Sequence, residues 1–158
     1  MEQKEALLKN LRDTIAFLKE ISVVEEEKFQ AAAKNQIFIV EECIKKEQAL
    51  LLHSKGLDQK REQLQKQMGT TGQTLRQFIE ALPEAERPPF QEAFEALSAE
   101  IAAYQEIHHR TKTMIEVNLH RINRELERMT GDPLGGNMGY ADHGEMLQNH
   151  KPFTSRKI

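Results

Sequence analysis

Tryptophan is missing from this sequence, and tyrosine occurs only twice in 158 residues. Large rings contribute much of the buried area of a compact core. Their scarcity, with 30% charged residues and a mean hydropathy of −0.64, argues for long helices that share a narrow apolar seam. Cysteine occurs once, at Cys43, so no intramolecular disulfide can form and a reducing cytoplasm is the natural setting. An excess of one charge is also lacking. With 22 basic and 25 acidic residues the net charge is −3, a near-balance that argues against a dedicated nucleic-acid binder with its basic patch or stripe. No apolar run approaches the roughly 18 to 20 residues that cross a bilayer; short stretches such as Ile37–Val40 and Ala49–Leu52 are the longest. The opening MEQKEALLKNLRD lacks the basic start and apolar block of a signal peptide.

What is present is helical periodicity. From residue 2 to about 31, Leu7, Leu8, Leu11, Ile15, Leu18, Ile21, Val24 and Phe29 recur at helical spacing, with no Gly or Pro between them. Ala33–Lys34–Asn35–Gln36 predicts a turn or kink, because Asn suits helix ends better than interiors. A second helix is predicted from about Asn35 to Met68. Ile37, Ile44 and Leu51 are seven apart, as are Leu50, Leu57 and Leu64, and Gly56 loosens the middle. Gly69 and Gly72 stop it. Thr74–Leu82 forms a short helix closed by Pro83, and Pro88–Pro89 opens a third long helix to Met129. Its seam reads Phe90, Phe94, Leu97, Ile101, Tyr104, His108, Thr111, Ile115, Asn118, Ile122, Leu126 and Met129.

The expected fold is all-α: an elongated antiparallel bundle of three long helices with coiled-coil-like packing, a short linker helix and a flexible C-terminal tail. The bundle spans 1–130 and the tail 131–158. Five of the eight glycines fall between Gly131 and Gly144, and the remaining apolar groups are too few to offset the entropy of ordering the tail alone.

Several patterns invite a chemical reading. Glu106-x-x-His109 has the spacing of di-metal bundles, but those use it twice. Cys43 has no second cysteine and reads as a small semi-buried side chain. His143, with Asp142 and Glu145, sits in a glycine-rich stretch that would not hold catalytic geometry. No catalytic group, metal or cofactor is expected. Glu25–Glu26–Glu27 reads as a charge run on an exposed face. Two readings of His108, Thr111 and Asn118 stand side by side: a buried polar layer that sets register, or a less buried helix end. A binding role fits the end of the third helix and the tail, where Ile122, Leu126, Met129, Leu134, Met138, Met146, Leu147 and Phe153 interleave with polar residues.

The second helix contains Glu47-Gln48-Ala49-Leu50-Leu51, then Lys60-Arg61-Glu62 and Leu64 before its glycine stop. This resembles the FlgN-type flagellar export chaperones, as does the order of two long helices, a linker helix, a third long helix and a tail. Tyr140-Ala-Asp-His-Gly144 is similar to the family's Tyr-x-x-x-Gly element, and Ser155-Arg156-Lys157-Ile158 is similar to its ending. The resemblance implies a cytoplasmic chaperone for the hook–filament junction proteins. It would shield an amphipathic C-terminal segment of its client and dock on the cytoplasmic domain of the export gate, with Tyr140 as the docking candidate. No ATP or metal is implied. A structural coiled-coil adaptor acting by self-association is the alternative. Seams of this length close within one chain or between two, so a homodimer is among the outcomes the sequence allows.

Overall fold

The computed structural model describes residues 2–131. They form α1 (Glu2–Ala33), α2 (Ile37–Gln67), the short α3 (Leu75–Ala81), a 3-10 turn (Glu84–Glu86) and α4 (Arg87–Thr130). No strand occurs among the described residues. The helix order is the expected one, and α2 runs unbroken through Gly56.

Helix α1 packs against both α2 and α4, and its sequence explains why. Its buried positions fall on three heptad lines: Leu7, Thr14, Ile21 and Lys28; Leu11, Leu18, Glu25 and Ala32; Asn10, Phe17, Val24 and Ala31. Three adjoining lines cover a face wide enough for two neighbours, whereas a coiled-coil seam needs only two. Contacts between helices fix the directions. Lys28 meets Glu47 and Phe17 meets His53, so α2 runs back along α1. Lys4 meets Glu86 and Thr111 meets Glu25, so α4 runs parallel to α1.

The turns follow from their residues. Asn35 adopts a left-handed φ of 55°. The Gln36 N–H then reaches Ala31 O at 2.8 Å and the Asn35 N–H reaches Ala32 O at 3.2 Å, a Schellman ending with Asn in the place usual for Gly. Gly69, with φ 71°, ends α2 in the same way, as Thr70 N–H donates to Gln65 O at 2.9 Å. Thr74 and Gln77 form a reciprocal capping box that starts α3. The Arg87 guanidinium donates to Leu82 O and Glu80 O, satisfying carbonyls at the end of α3. Pro88 and Pro89 lie in the first turn of α4, where their missing N–H groups cost nothing. That helix begins at Arg87, two residues earlier than expected.

The main core joins all four helices. Leu7, Leu11, Phe17, Leu18 and Ile21 of α1 meet Leu57 and Leu64 of α2, and α3 adds Leu75, Phe78 and Ile79. From α4 come Phe90, Ala93, Leu97 and Ile101. Phe78 and Phe90 pack edge to face, with centroids 5.4 Å apart. A second, smaller cluster lies toward the other end, where Ala31, Ala32, Val40 and Ile44 pack with Met114 and Ile115.

Candidate functional site

The two clusters are separated by a buried ionic layer. Glu25 and Lys28 from α1 and Glu47 from α2 are each no more than 2% exposed. Lys28 Nζ lies 2.9 Å from Glu25 Oε1 and 2.9 Å from Glu47 Oε2. On the α4 side, His108 Nδ1 is 3.4 Å from Glu25 Oε1, and its ring stacks on Tyr104. Thr111 is buried beside them and donates to Ile107 O. Of the polar seam of α4, Thr111 is buried in this layer, His108 is half-buried at its rim, and Asn118 is half-buried farther along at the end of α1, so each of the two readings left by the sequence holds for part of the seam. Glu25 is a correction: it belongs to the 18-25-32 heptad line and is fully buried, while Glu26 and Glu27 are exposed.

Burial sets the protonation of this layer. Glu47 is pushed up to about 8, first by burial and then by the adjoining Glu25 carboxyl. Burial alone would also raise Glu25, but the adjoining His108 and Glu47 side chains and the charge of Lys28 bring it down to about 2. Lys28 is desolvated as well, yet the two carboxyls hold it above the ordinary lysine value. Burial, with the nearby Glu25 and Glu47, raises the Tyr104 hydroxyl. Cys43 is 1% exposed, and burial followed by Glu27 pushes its thiol up, which suppresses the thiolate a nucleophile requires. Glu106 and His109 both face outward on α4.

Beyond the second cluster the bundle opens. Helix α1 stops at Ala33, and Asn118 Nδ2 of α4 donates to Ala32 O there. Helix α4 has 44 residues and continues past this point for about twelve more, roughly 18 Å at 1.5 Å per residue. This arm carries Leu119, Ile122, Leu126 and Met129 at alternating steps of three and four, a coiled-coil stripe. At its base an open groove is lined by Ala32, Ile37, Val40, Ile115, Leu119 and Ile122, with Asn35, Gln36 and Asn118 as polar members. Among the described residues, the exposed large apolar side chains concentrate here. Phe38 is 84% exposed and Met129 80%, with Ile37, Ile39, Val117 and Ile122 nearby and only Val23 and Leu52 elsewhere. An apolar concentration of this kind at one end marks a surface for another apolar segment.

Of the sequence-predicted binding residues, Ile122 lines the groove, Leu126 is half-buried and Met129 is exposed near the tip of the arm. Leu134, Met138, Tyr140, Met146, Leu147 and Phe153 lie outside the described residues. Sequence reasoning missed the opposite wall. Ile37 was assigned to the α2 seam, yet it is 47% exposed at the groove. The signal was present: Ile37, Phe38 and Ile39 follow the Asn35 turn directly, and three successive helical residues span about 200°, so they cannot all face one core.

The sequence profile of the FlgN protein family matches residues 1–148. No curated protein and no solved structure matches the chain. The family match covers nearly all of the chain, and the chain belongs to that family of flagellar export chaperones.

Proposed function

We propose, on the premise that the chain is a FlgN-family export chaperone, that it binds the C-terminal segments of hook–filament junction proteins in the cytoplasm and delivers them to the export gate. The observation that carries this reading is the coincidence of the family match over residues 1–148 with an end of the bundle where the α4 arm and the groove leave apolar surface open. An amphipathic client segment supplies the missing partner. It folds along Leu119, Ile122, Leu126 and Met129 and places side chains against Ile37 and Val40, a helix-in-groove contact with coupled folding.

Residues 131–158 extend this contact. Leu134, Met138, Met146, Leu147 and Phe153 cover the client from the tail, and Tyr140 engages the cytoplasmic domain of the gate. Residues 1–130 act as the bundle that presents both. The long helices themselves serve as an antiparallel scaffold that keeps the arm rigid, and no cofactor takes part.

Calorimetric titration tests this reading. The full chain is titrated with the C-terminal segment of a hook–filament junction protein from the same organism, beside a Leu126→Ser/Met129→Ser variant whose helicity is checked. Binding by the full chain that weakens at least about tenfold in the variant is expected, since two apolar contacts on the arm are removed. Wild-type affinity in the variant would displace the site from the arm. Absence of binding to every junction-protein segment, together with a concentration-dependent dimer that buries the arm, would leave self-association as the better account.

A further inference from the structure

The ionic layer is not used by the client site, and its composition is unbalanced. Two acids, Glu25 and Glu47, share one permanent base, Lys28, all three closed to water, with the part-exposed His108 beside Glu25 at the rim. Two ionised carboxylates beside a single ammonium would leave a net negative charge in a desolvated place, which proteins avoid by protonation. Hydrogen bonding agrees with this. Glu25 Oε2 and Glu47 Oε1 are buried and meet no N–H or O–H donor among the described residues. A proton on one carboxyl is the donor that the other lacks.

We propose that the layer holds one exchangeable proton between the Glu25 and Glu47 carboxyls, and that this proton latches shut the end of the bundle that carries the groove. The geometry places the latch where it can act in this way. Below it lie the main core and α3. Above it the small cluster of Ala31, Ala32, Val40 and Ile44, with Met114 and Ile115, and the hydrogen bond from Asn118 to Ala32 O hold α1, α2 and α4 together. Parting the helices at that end would admit water to the layer. Both carboxylates would then ionise and the proton would leave to solvent.

All groups facing the pair enter the balance. Helix α1 contributes Lys28, with Glu27 at the rim. Helix α2 contributes the Cys43 thiol and Lys46, which pairs with Glu27 at 3.7 Å. Helix α4 contributes the Tyr104 hydroxyl and His108, whose side chain is 25% exposed. Of the acids, Glu47 has the raised value, about 8 when closed against 4.5 when free, and Glu25 has the lowered one. The sign follows. Between 4.5 and 8 the closed form holds a proton on Glu47 that the open form has lost, so the Glu47 contribution to closure weakens as pH rises through this window and levels off above about 8, while the Glu25 contribution is lost as pH falls from about 4.5 toward 2. Glu25 is ionised in both forms above pH 6 and adds no slope there.

Amide hydrogen exchange of the full chain, corrected for intrinsic rates, measures the opening of segments 28–47 and 104–122 at pH 6 and pH 8. One proton released per opening gives up to about tenfold per pH unit, hence up to roughly 100-fold over the interval. Glu47→Gln carries the neutral form permanently and is expected to open independently of pH. Glu25→Gln also balances the charge without a proton and is expected to give the same flat profile, which keeps the test available should Glu47→Gln fail to fold. His108→Gln is expected to keep the wild-type slope. A flat wild-type profile would overturn the proposal. So would a slope that survives Glu47→Gln and Glu25→Gln but vanishes in His108→Gln, since the titrating proton would then sit on the imidazole. The readout uses no client and no gate, so the latch and the chaperone site stand or fall separately.

Discussion

The two halves of this bundle are built from the same three long helices but held by different means. Beside α3, Phe17, Leu18, Phe78, Phe90 and Leu97 fill the space between helices with large side chains. Beyond the ionic layer the helices meet through Ala31 and Ala32, Val40 and Ile44, and then separate at the groove. Full burial of a Leu or Phe contributes about 1.5–3 kcal/mol, and an alanine far less. The first half is therefore fitted to stay closed, and the second to open and to accept a partner. A binding end needs that weakness, because surface already satisfied within the chain has little left to offer a client.

The largest effect should come from the boundary between the halves. Lys28→Met removes the base and leaves Glu25 and Glu47 buried without it. Breaking a buried ion pair from one side costs about 3–5 kcal/mol. Denaturant unfolding is expected to show a loss of that order, and adding Glu47→Gln to the same chain should restore part of it. No loss would mean that water reaches the layer freely, and the contrast between the halves would collapse.

Next in size is the closed half. Phe78→Ala empties the contact between α3 and Phe90 and should cost about 3 kcal/mol, as large-to-small changes of a buried Phe do. The expected signature is a lower unfolding midpoint with the groove amides unchanged relative to the rest of the protein. Loosening of the groove alone would show that the halves had been assigned the wrong way round.

The closed half was also the more legible one. Its elements could be read from apolar spacing, from Gly69 and from Pro83, because local chemistry and core packing agree there. The polar seam of α4 was visible too, since His108, Thr111 and Asn118 interrupt a regular apolar register. Glu25 and Glu47 were not recognised, although both occupy heptad lines, 18-25-32 and 40-47-54. A carboxylate is ordinarily placed at the surface, and only a partner from another helix, here Lys28 between them, makes its burial tolerable. That partner is invisible to a reading that proceeds along one helix at a time. The groove was half legible. The arm's stripe continues a pattern, but Ile37 becomes a wall only because α1 ends at Ala33 and leaves it uncovered.

A smaller effect separates the linker from both halves. Thr74→Ala removes a hydroxyl that accepts from the Gln77 N–H at 3.2 Å in an exposed capping box. The loss should be about 1 kcal/mol. Thermal unfolding should report a drop of a few degrees, with client affinity unchanged. A change in affinity would mean that α3 communicates with the open end through α4.

The smallest predicted effect has a favourable sign and tests whether the halves act independently. Asn35 holds a φ of 55° in the turn that closes α1 onto α2. Gly accepts this conformation without the Cβ penalty, but it also raises the entropy of the unfolded chain, so the two terms partly cancel. Asn35→Gly should therefore stabilise by no more than about 0.5 kcal/mol. Asn35→Val, which resists a positive φ, should destabilise by about 1–2 kcal/mol. Hydrogen exchange then shows where the change is felt. Slower exchange confined to the amides flanking the turn and facing the groove would mean that the open half fluctuates as its own unit. Equal slowing across the main core would mean that both halves open together, and the weakness at the groove would have to come from the missing neighbour of the arm alone.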